Sequence, residues 1–343
     1  MAGKKVEVNS DKPKDQDSKT EQTAEYLNAA VEGDAGAQNK IGRMYLLGIG
    51  GVPKDKVKAA AWYRKSAEQG NIDGQIQLGQ LYENGWGVPN DRAEAEAWYL
   101  KAAEQGSARG FTQIARLYAN GARDDAKAVE WYRKAAGMGD AHGQCSLGEM
   151  YATGRGVPKD EVEAVAWYRK AAEQGDNSAQ SNLGDMYADG RGVPKDEVEA
   201  AIWYRKAADQ GDSLAQYKLG KMYARGHGVP QDFAAAAEWF CKADEKDTDY
   251  DPTTLRSCYE ERLGVPLDEI IAAYRKAGEQ GSFHWQITLA YMYQQGDSVP
   301  KDQTEAQKWF RKAASTENRE AWFKRYGPNG EDIRRRMESG SNG

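Results

Sequence analysis

The chain has few of the residues that most often build metal sites and catalytic centres. Its three histidines, His142, His227 and His284, lie far apart and lack a ligand spacing such as H-E-x-x-H. Its three cysteines are too few for a regular disulfide framework, and none has a spacing that suggests a histidine base. The sequence therefore predicts no metal site, no cofactor and no enzymatic activity, with the histidines at the surface or in a groove.

An excess of basic charge and a long apolar run are also missing. The formal net charge is -6 and the pI about 5.4, whereas nucleic-acid-binding proteins usually carry a basic excess. No apolar run approaches the roughly 18 residues that a membrane span needs. The first twenty residues lack the apolar core of a secretory signal. We expect neither nucleic-acid binding nor membrane insertion, and a cytoplasmic location, or a periplasmic one if an export signal has been removed.

The sequence does contain an internal repeat, marked by a tryptophan–aromatic pair. The tryptophans of these pairs are Trp62, Trp98, Trp131, Trp167, Trp203, Trp239 and Trp309, with Tyr274 filling the one gap. A period of this size is typical of a solenoid. Stacked aromatic rings could form a platform for sugars or bases. Their helical spacing beside alanines instead favours a structural core between repeats.

Repeat five illustrates the predicted unit. Residues 177–189 have the apolar spacing of a helix, which we name helix A. Gly190 can adopt the positive φ of a helix end, and Pro194 prevents continuation. Asp196 and Glu199 form a capping box that starts helix B. The predicted fold is all-α, with about eight helix–turn–helix repeats of 33–37 residues.

The repeat register divides the chain into four parts. Residues 1–20 are polar and predicted to be disordered, 21–32 to form an N-terminal capping helix, 33–316 the repeat array, and 317–343 a C-terminal cap and disordered tail. The third repeat is short, and the seventh, which lacks the tryptophan, is degenerate. The repeats begin near Asp34, Ile72, Ala108, Ala141, Asn177, Ser213, Asp251 and Phe283.

Five of the predicted A helices carry an interior glycine. A glycine there costs roughly 1 kcal/mol relative to alanine. We interpret its recurrence as a steric need for close approach between helices. The five positions are Gly42, Gly79, Gly148, Gly184 and Gly220.

The segment LGDMYADGRGVPKDEVEAAIWYRKAADQGD, residues 183–212, resembles the Sel-one-like repeat, a relative of the tetratricopeptide repeat. The resemblance extends over residues 33–314. It implies a right-handed α/α superhelical solenoid whose A helices line a concave groove. It also implies a non-catalytic adaptor or scaffold that binds another protein, such as a toxin or a signalling or secretion component, in an oligomeric state that the sequence leaves open.

The same resemblance suggests two narrower alternatives. One bacterial branch of the family looks like immunity proteins that neutralise secreted type VI, phospholipase-type toxins, and the size of this array would suit that role. A secreted branch, linked to β-lactam binding or hydrolysis, carries a cysteine pair in each repeat. This chain lacks those pairs, which weighs against that activity.

If the register follows the tetratricopeptide arrangement, the groove-facing positions can be named. The apolar members could be anchors for a partner or could pack against a neighbouring A helix. The predicted partner-binding residues are Arg43, Leu46, Leu47, Ile76, Gln80, Arg109, Arg116, His142, Glu149, Asp185, Tyr217, Lys221, Arg225, His284, Ile287 and Tyr291.

Two local patterns leave their interpretation open. The acidic turn Asp247–Asp251 resembles the start of a calcium loop, but Pro252 and Cys258 stand where that loop needs glycine and glutamate. A solvated turn is the alternative. Cys241 and Cys258 could form a disulfide or remain buried thiols.

Overall fold

The helices of the protein follow one another in antiparallel pairs joined by short loops. A computed structural model describes residues 14–122, 124–244, 266–296 and 299–315, and this part of the chain contains no strand. In chain order the helices are α1 (Lys14–Val31), α2 (Ala35–Leu47), α3 (Lys56–Glu68), α4 (Ile72–Asn84), α5 (Arg92–Glu104), α6 (Ala108–Arg116), α7 (Asp125–Gly137), α8 (Ala141–Thr153), α9 (Glu161–Glu173), α10 (Asn177–Asp189), α11 (Glu197–Asp209), α12 (Ser213–Arg225), α13 (Phe233–Asp244), α14 (Leu267–Glu279), α15 (Phe283–Gln295) and α16 (Gln303–Ala314). The predicted all-α repeat fold is confirmed.

Two compact units divide the chain, Met1–Trp167 and Tyr168–Gly343. In the first unit the A helices are α2, α4, α6 and α8, and the B helices are α3, α5 and α7. In the second the A helices are α10, α12 and α15, and the B helices are α11, α13, α14 and α16. Helix α9, the B helix of repeat four, contains the boundary. The acidic turn Asp247–Asp251, Cys258 and the predicted tail 317–343 lie outside the described residues.

Local capping chemistry sets the helix ends. Asp176 precedes α10, and its side chain accepts a hydrogen bond of 2.8 Å from the amide of Ala179. Gly190 ends the helix at φ 71°, in the left-handed region that favours glycine. Asp196 then starts α11, accepting from the amides of Val198 and Glu199 at 3.0 Å each. These capping interactions involve residues that are close together in the sequence, so the pattern of the sequence can predict them. The helix boundaries of repeat five agree with the predicted ones.

Helix α1 begins at Lys14, earlier than the capping helix predicted from residue 21. The added turns are rich in lysine, aspartate and glutamine, and such a polar segment can extend a helix that is anchored further along. The anchor is the C-terminal half, where Ala30 packs with Ala37 and Ile41 of α2. Helix α1 thus occupies the place of a B helix preceding the first repeat.

A ladder of buried glutamines connects successive repeats. The side chain of Gln180 is 4% exposed and donates to the carbonyl of Ala172 at 3.1 Å. Its own Oε1 accepts from Gln210 Nε2 at 2.8 Å. The same bond to a carbonyl eight residues earlier is made by Gln38, Gln75, Gln144, Gln216 and Gln286. Each of these bonds gives a buried glutamine side-chain amide an acceptor.

Replacing Gln180 by leucine is expected to destabilise the second unit by about 1 kcal/mol, because the Ala172 carbonyl then accepts only from the Gly175 amide and Gln210 loses the Gln180 oxygen as an acceptor. The free energy of unfolding in urea measures the effect. Gln295→Leu, at an exposed position of α15, is the matched control and should change it by less than about 0.5 kcal/mol. Equal values for the two variants would show that the ladder contributes nothing.

The interior glycines of the A helices do permit close approach, as predicted. A Cβ atom on Gly79 would lie 2.5 Å from the Tyr99 ring, and one on Gly184 would lie 2.7 Å from the Tyr204 ring. A Cβ atom on Gly220 would likewise lie 2.5 Å from the Phe240 ring. In each case the aromatic ring is the second member of the pair on helix B. The glycine therefore makes room for a ring that lies close to the A-helix backbone.

The aromatic pairs form the core between helices. Tyr99 has 0% exposure and Trp98 has 7%, and both pack with Ala59 and Tyr63 of the preceding B helix. The Lys101 Nζ lies 3.7 Å from the centroid of the Trp98 ring and covers its outer face. Trp203, Trp239 and Trp309 are equally buried, whereas Trp62, Trp131 and Trp167 are half-buried. The tryptophans of the aromatic pairs therefore take part in packing between repeats, and their rings do not form an open platform for sugars or bases.

Candidate functional site

Each A helix from α2 to α12 presents one stripe of exposed and half-buried side chains, at positions spaced i, i+4, i+7 and i+11. In α12 these are Leu214, Lys218, Lys221 and Arg225, while the rest of the helix packs against its neighbours. We use the name A-face for this stripe on each A helix, from α2 to α8 in the first unit and on α10 and α12 in the second. Its other members are Gly36, Lys40, Arg43 and Leu47 in α2; Asp73, Gln77, Gln80 and Asn84 in α4; Arg109, Gln113 and Arg116 in α6; His142, Ser146, Glu149 and Thr153 in α8; and Ser178, Asn182, Asp185 and Asp189 in α10.

Most of the predicted partner-binding residues lie on the A-face. Those that do are Arg43, Leu47, Gln80, Arg109, Arg116, His142, Glu149, Asp185, Lys221 and Arg225. The side chain of His284 lies outside the described residues.

Two predicted anchors need correction, because Ile76 and Ile287 are buried, with 0% and 1% exposure. They stand two residues before the central leucine of the A helix, and this position faces the interior. Thr112 shows why: it holds the same place, and its hydroxyl lies 2.7 Å from the capping carboxylate of Asp140 in the next repeat. The position that reaches solvent is one residue later, at Gln77 and its equivalents, most of which are half-buried.

The remaining predicted apolar residues are half-buried. The Tyr217 ring lies 5.6 Å from that of Phe240, and the Tyr291 ring lies 5.6 Å from that of Phe310, in an edge-on arrangement. Leu46 packs against the core of the first unit. These side chains stabilise helix pairs and expose only part of their surface.

Ion pairs connect neighbouring A helices in the first unit. Glu83 of α4 accepts hydrogen bonds from the Tyr99 hydroxyl at 2.8 Å and from Arg116 Nη2 of α6 at 2.9 Å. Arg109 pairs with Asp73 between the same helices at 3.1 Å. The predicted binding residues Arg116 and Arg109 therefore already have partners within the protein.

The second unit repeats this arrangement with other residues. Asp185 of α10 accepts from the Tyr204 hydroxyl at 2.5 Å and from Lys218 Nζ of α12 at 2.6 Å. Burial, followed by the hydrogen bond to Asp185, raises the pKa of Tyr204 well above its usual value. The phenol thus remains a donor at any physiological pH. The predicted partner-binding set does not include Lys218. The sequence does carry a signal for this ion pair, because an acidic residue and a lysine stand on the same stripe of adjacent repeats.

A cleft of about 380 Å³ lies beside this cluster in the second unit. It is bounded by α10, α11 with the loop that leads into it, and α12. Lys221 and Arg225 line it from α12, and His227 lines it from the loop that follows. The Lys195–Glu197 ion pair, at 2.8 Å, forms another wall.

The described residues contain no group of three or more histidine, cysteine or acidic side chains that could hold a metal ion. His142 and His227 are exposed, and Cys145 and Cys241 are buried. In the same part of the chain, no helix combines the length and apolar character of a membrane span.

Comparison with known proteins gives the family. A family model described as the Sel1 repeat matches residues 35–71, 72–107, 112–140, 141–176, 177–212, 213–245 and 286–315. The chain belongs to the Sel1 repeat family. Proteins built from Sel1 repeats generally mediate protein–protein interactions. The matched segments leave out the degenerate seventh repeat, whose residues 251–265 lie outside the described residues.

Solved structures agree with this assignment. The chain is 34% identical to c5321, a protective antigen with an SLR fold present in uropathogenic Escherichia coli strains; the match covers 92% of this chain and 71% of that one, with a TM-score of 0.59. A Sel1 repeat protein from Oxalobacter formigenes is also 34% identical, with 66% and 100% covered and a TM-score of 0.59. No curated protein matches this Sel1 repeat protein.

An immunity protein of Pseudomonas aeruginosa, PA5088, is 22% identical, with 69% of this chain and 86% of that chain covered and a TM-score of 0.45. This level of likeness concerns the helical repeat fold and carries no argument about function. The immunity role suggested by the sequence therefore stays a prediction.

Proposed function

We propose that this Sel1 repeat protein is a non-catalytic scaffold that binds another protein through its A-face. The supporting observation is the contrast between a constant interior and a variable exposed stripe. Glycine–aromatic contacts and the glutamine ladder recur from repeat to repeat. The A-face instead changes from Lys40 and Arg43 in α2 to Ser146 and Glu149 in α8. A regular scaffold with a variable surface suits recognition of one shaped partner.

The chemistry of the A-face suits protein recognition better than catalysis. Its ionisable groups are mainly either paired, as Asp185 is with Lys218, or exposed to solvent. A catalytic site usually needs a nucleophile beside a base, or an acid and a base with shifted pKa values in one cleft. The strongly raised pKa values belong to Tyr63, Tyr99 and Tyr204, whose phenols are buried against the A helices.

The proposal predicts that partner capture depends on the A-face. The test variant replaces Arg43, Gln80, Glu149 and Lys221 by alanine. These side chains are at least partly exposed, so the fold should persist. Proteins enriched from the native organism by the wild-type chain are quantified by mass spectrometry, and at least one of them should fall about tenfold or more, as expected when central contacts are lost.

The matched control replaces four exposed B-helix residues, Glu68, Glu104, Glu173 and Asp209, by alanine. This variant should retain the captured protein at wild-type level. Full retention by the A-face variant would contradict the proposal, as would equal loss from both variants.

A further inference from the structure

Among the described residues that line the cleft between α10 and α12, cationic side chains outnumber carboxylates. Lys195 is paired with Glu197, and Lys218 is paired with Asp185. Lys221 and Arg225 also line the cleft, but neither has a carboxylate within ion-pair distance among the described residues.

The two unpaired cations lie on the same side of their helix. Residues four apart are neighbours on a helix surface, so Lys221 and Arg225 project side by side. Lys221 Nζ lies 5.6 Å from the Tyr217 ring centroid, a contact that supports its aliphatic stem. Arg225 is in the last turn of α12, where the helix dipole favours a cation. The site therefore tolerates two adjacent positive charges before any ligand arrives.

The carboxylates around the cleft are held by other partners. Asp189 lies 3.3 Å from Arg191 Nε, and the hydrogen bond from Lys195 lowers the pKa of Glu197. Asp185 accepts bonds from both Tyr204 and Lys218. Each of these three carboxylates already has a partner in the structure. Among the described residues that line the cleft, Lys221 and Arg225 therefore keep hydrogen-bonding capacity for a ligand, with the exposed His227 at the rim.

We infer that this cleft binds a carboxylate-bearing acidic segment of the protein partner, an inference that rests on the proposed function. An ammonium beside a guanidinium can share two carboxylate oxygens through charge-assisted hydrogen bonds. The cleft volume of about 380 Å³ accommodates one or two acidic side chains or a chain terminus. The Lys218–Asp185 pair, with only 22% and 29% side-chain exposure, forms a fixed floor beneath them.

The test uses two fluorescein-labelled peptides and the full chain, with fluorescence anisotropy at low salt as the measurement. One peptide alternates glycine with glutamate and has an amidated C-terminus. The other alternates glycine with serine and has a free C-terminal carboxylate. Binding of the first peptide would show that the cleft recognises acidic side chains. Binding of the second would show that it recognises the carboxylate of a chain terminus. Either result supports the inference provided that the cleft variant described next loses it.

The cleft variant is Lys221→Glu with Arg225→Glu, which should weaken binding about tenfold or more, the range expected for loss of a charge-assisted hydrogen bond. Its control, Lys54→Glu with Lys301→Glu, makes the same change of net charge at exposed positions away from the cleft and should bind normally. Circular dichroism confirms that each variant is folded.

Absence of binding for both peptides, or equal weakening by both variants, would overturn the inference. Capture of the native partner remains a separate measurement. If capture depends on the A-face while neither peptide binds, the acidic-segment inference is rejected and the scaffold function stands. If capture is independent of the A-face, the scaffold function fails regardless of the peptides.

Discussion

Gly228→Ala should destabilise the second unit by about 3–5 kcal/mol, one of the largest effects of any small substitution in this protein. Two causes combine at this loop position. Gly228 has φ +67°, where an added Cβ is unfavourable. The Cβ would also lie 2.0 Å from the backbone oxygen of Glu197, in the first turn of the B helix that precedes this loop. Backbone cannot rotate away as a side-chain end could, so the loop must separate from α11.

A matched glycine isolates the two causes. Gly175, in the same unit, has a φ of +93°, but an added Cβ would meet nothing within 4 Å. Gly175→Ala should therefore cost only about 1–2 kcal/mol, the backbone part alone. Urea unfolding gives the free energies, and amide exchange should show faster opening of α11 and α12 in Gly228→Ala. If both variants lose the same stability, the loop does not pack against α11 as described.

Truncating a tryptophan of the aromatic pair should have an effect of similar size. Trp98→Ala is expected to cost about 3–5 kcal/mol, because the buried indole belongs to the apolar cluster that α5 forms with α3 and α4. Trp98 is 7% exposed and packs with Ala59 and Tyr63 of α3. Truncation of Trp98 also removes the aromatic ring over which the Lys101 side chain lies. Urea unfolding followed by circular dichroism measures the change.

Trp86 provides the control in the same repeat. It is 40% exposed in the loop before α5, where Lys56 lies over its ring at 4.9 Å. Trp86→Ala should cost less than about 1 kcal/mol, since little apolar area returns to water. Comparable losses for Trp86→Ala and Trp98→Ala would contradict a structural role specific to the aromatic pair. Amide exchange should place the defect of Trp98→Ala in α3 to α5.

The sequence predicted individual helices better than it predicted exposed surfaces. Asp196 and Gly190 define helix ends through bonds to residues a few positions away, so their effect is readable locally. Ile76 was assigned to the groove from its spacing to the central leucine, but it is fully buried. Its burial depends on the angle at which the next repeat packs, and neither composition nor periodicity encodes that angle directly.

The sequence by itself determined the period, the helix pairs and the family, because repetition, capping and apolar spacing are properties of short segments. Only the tertiary structure decided which charges remain available. Lys218 and Lys221 belong to the same helix and stripe, yet only Lys218 meets Asp185, 33 residues earlier. Lys221 and Arg225 are left facing the cleft. The difference depends on how adjacent helices stack. A change of a few ångströms in the separation of two side chains decides whether a cation forms an ion pair within the protein or stays available to a partner.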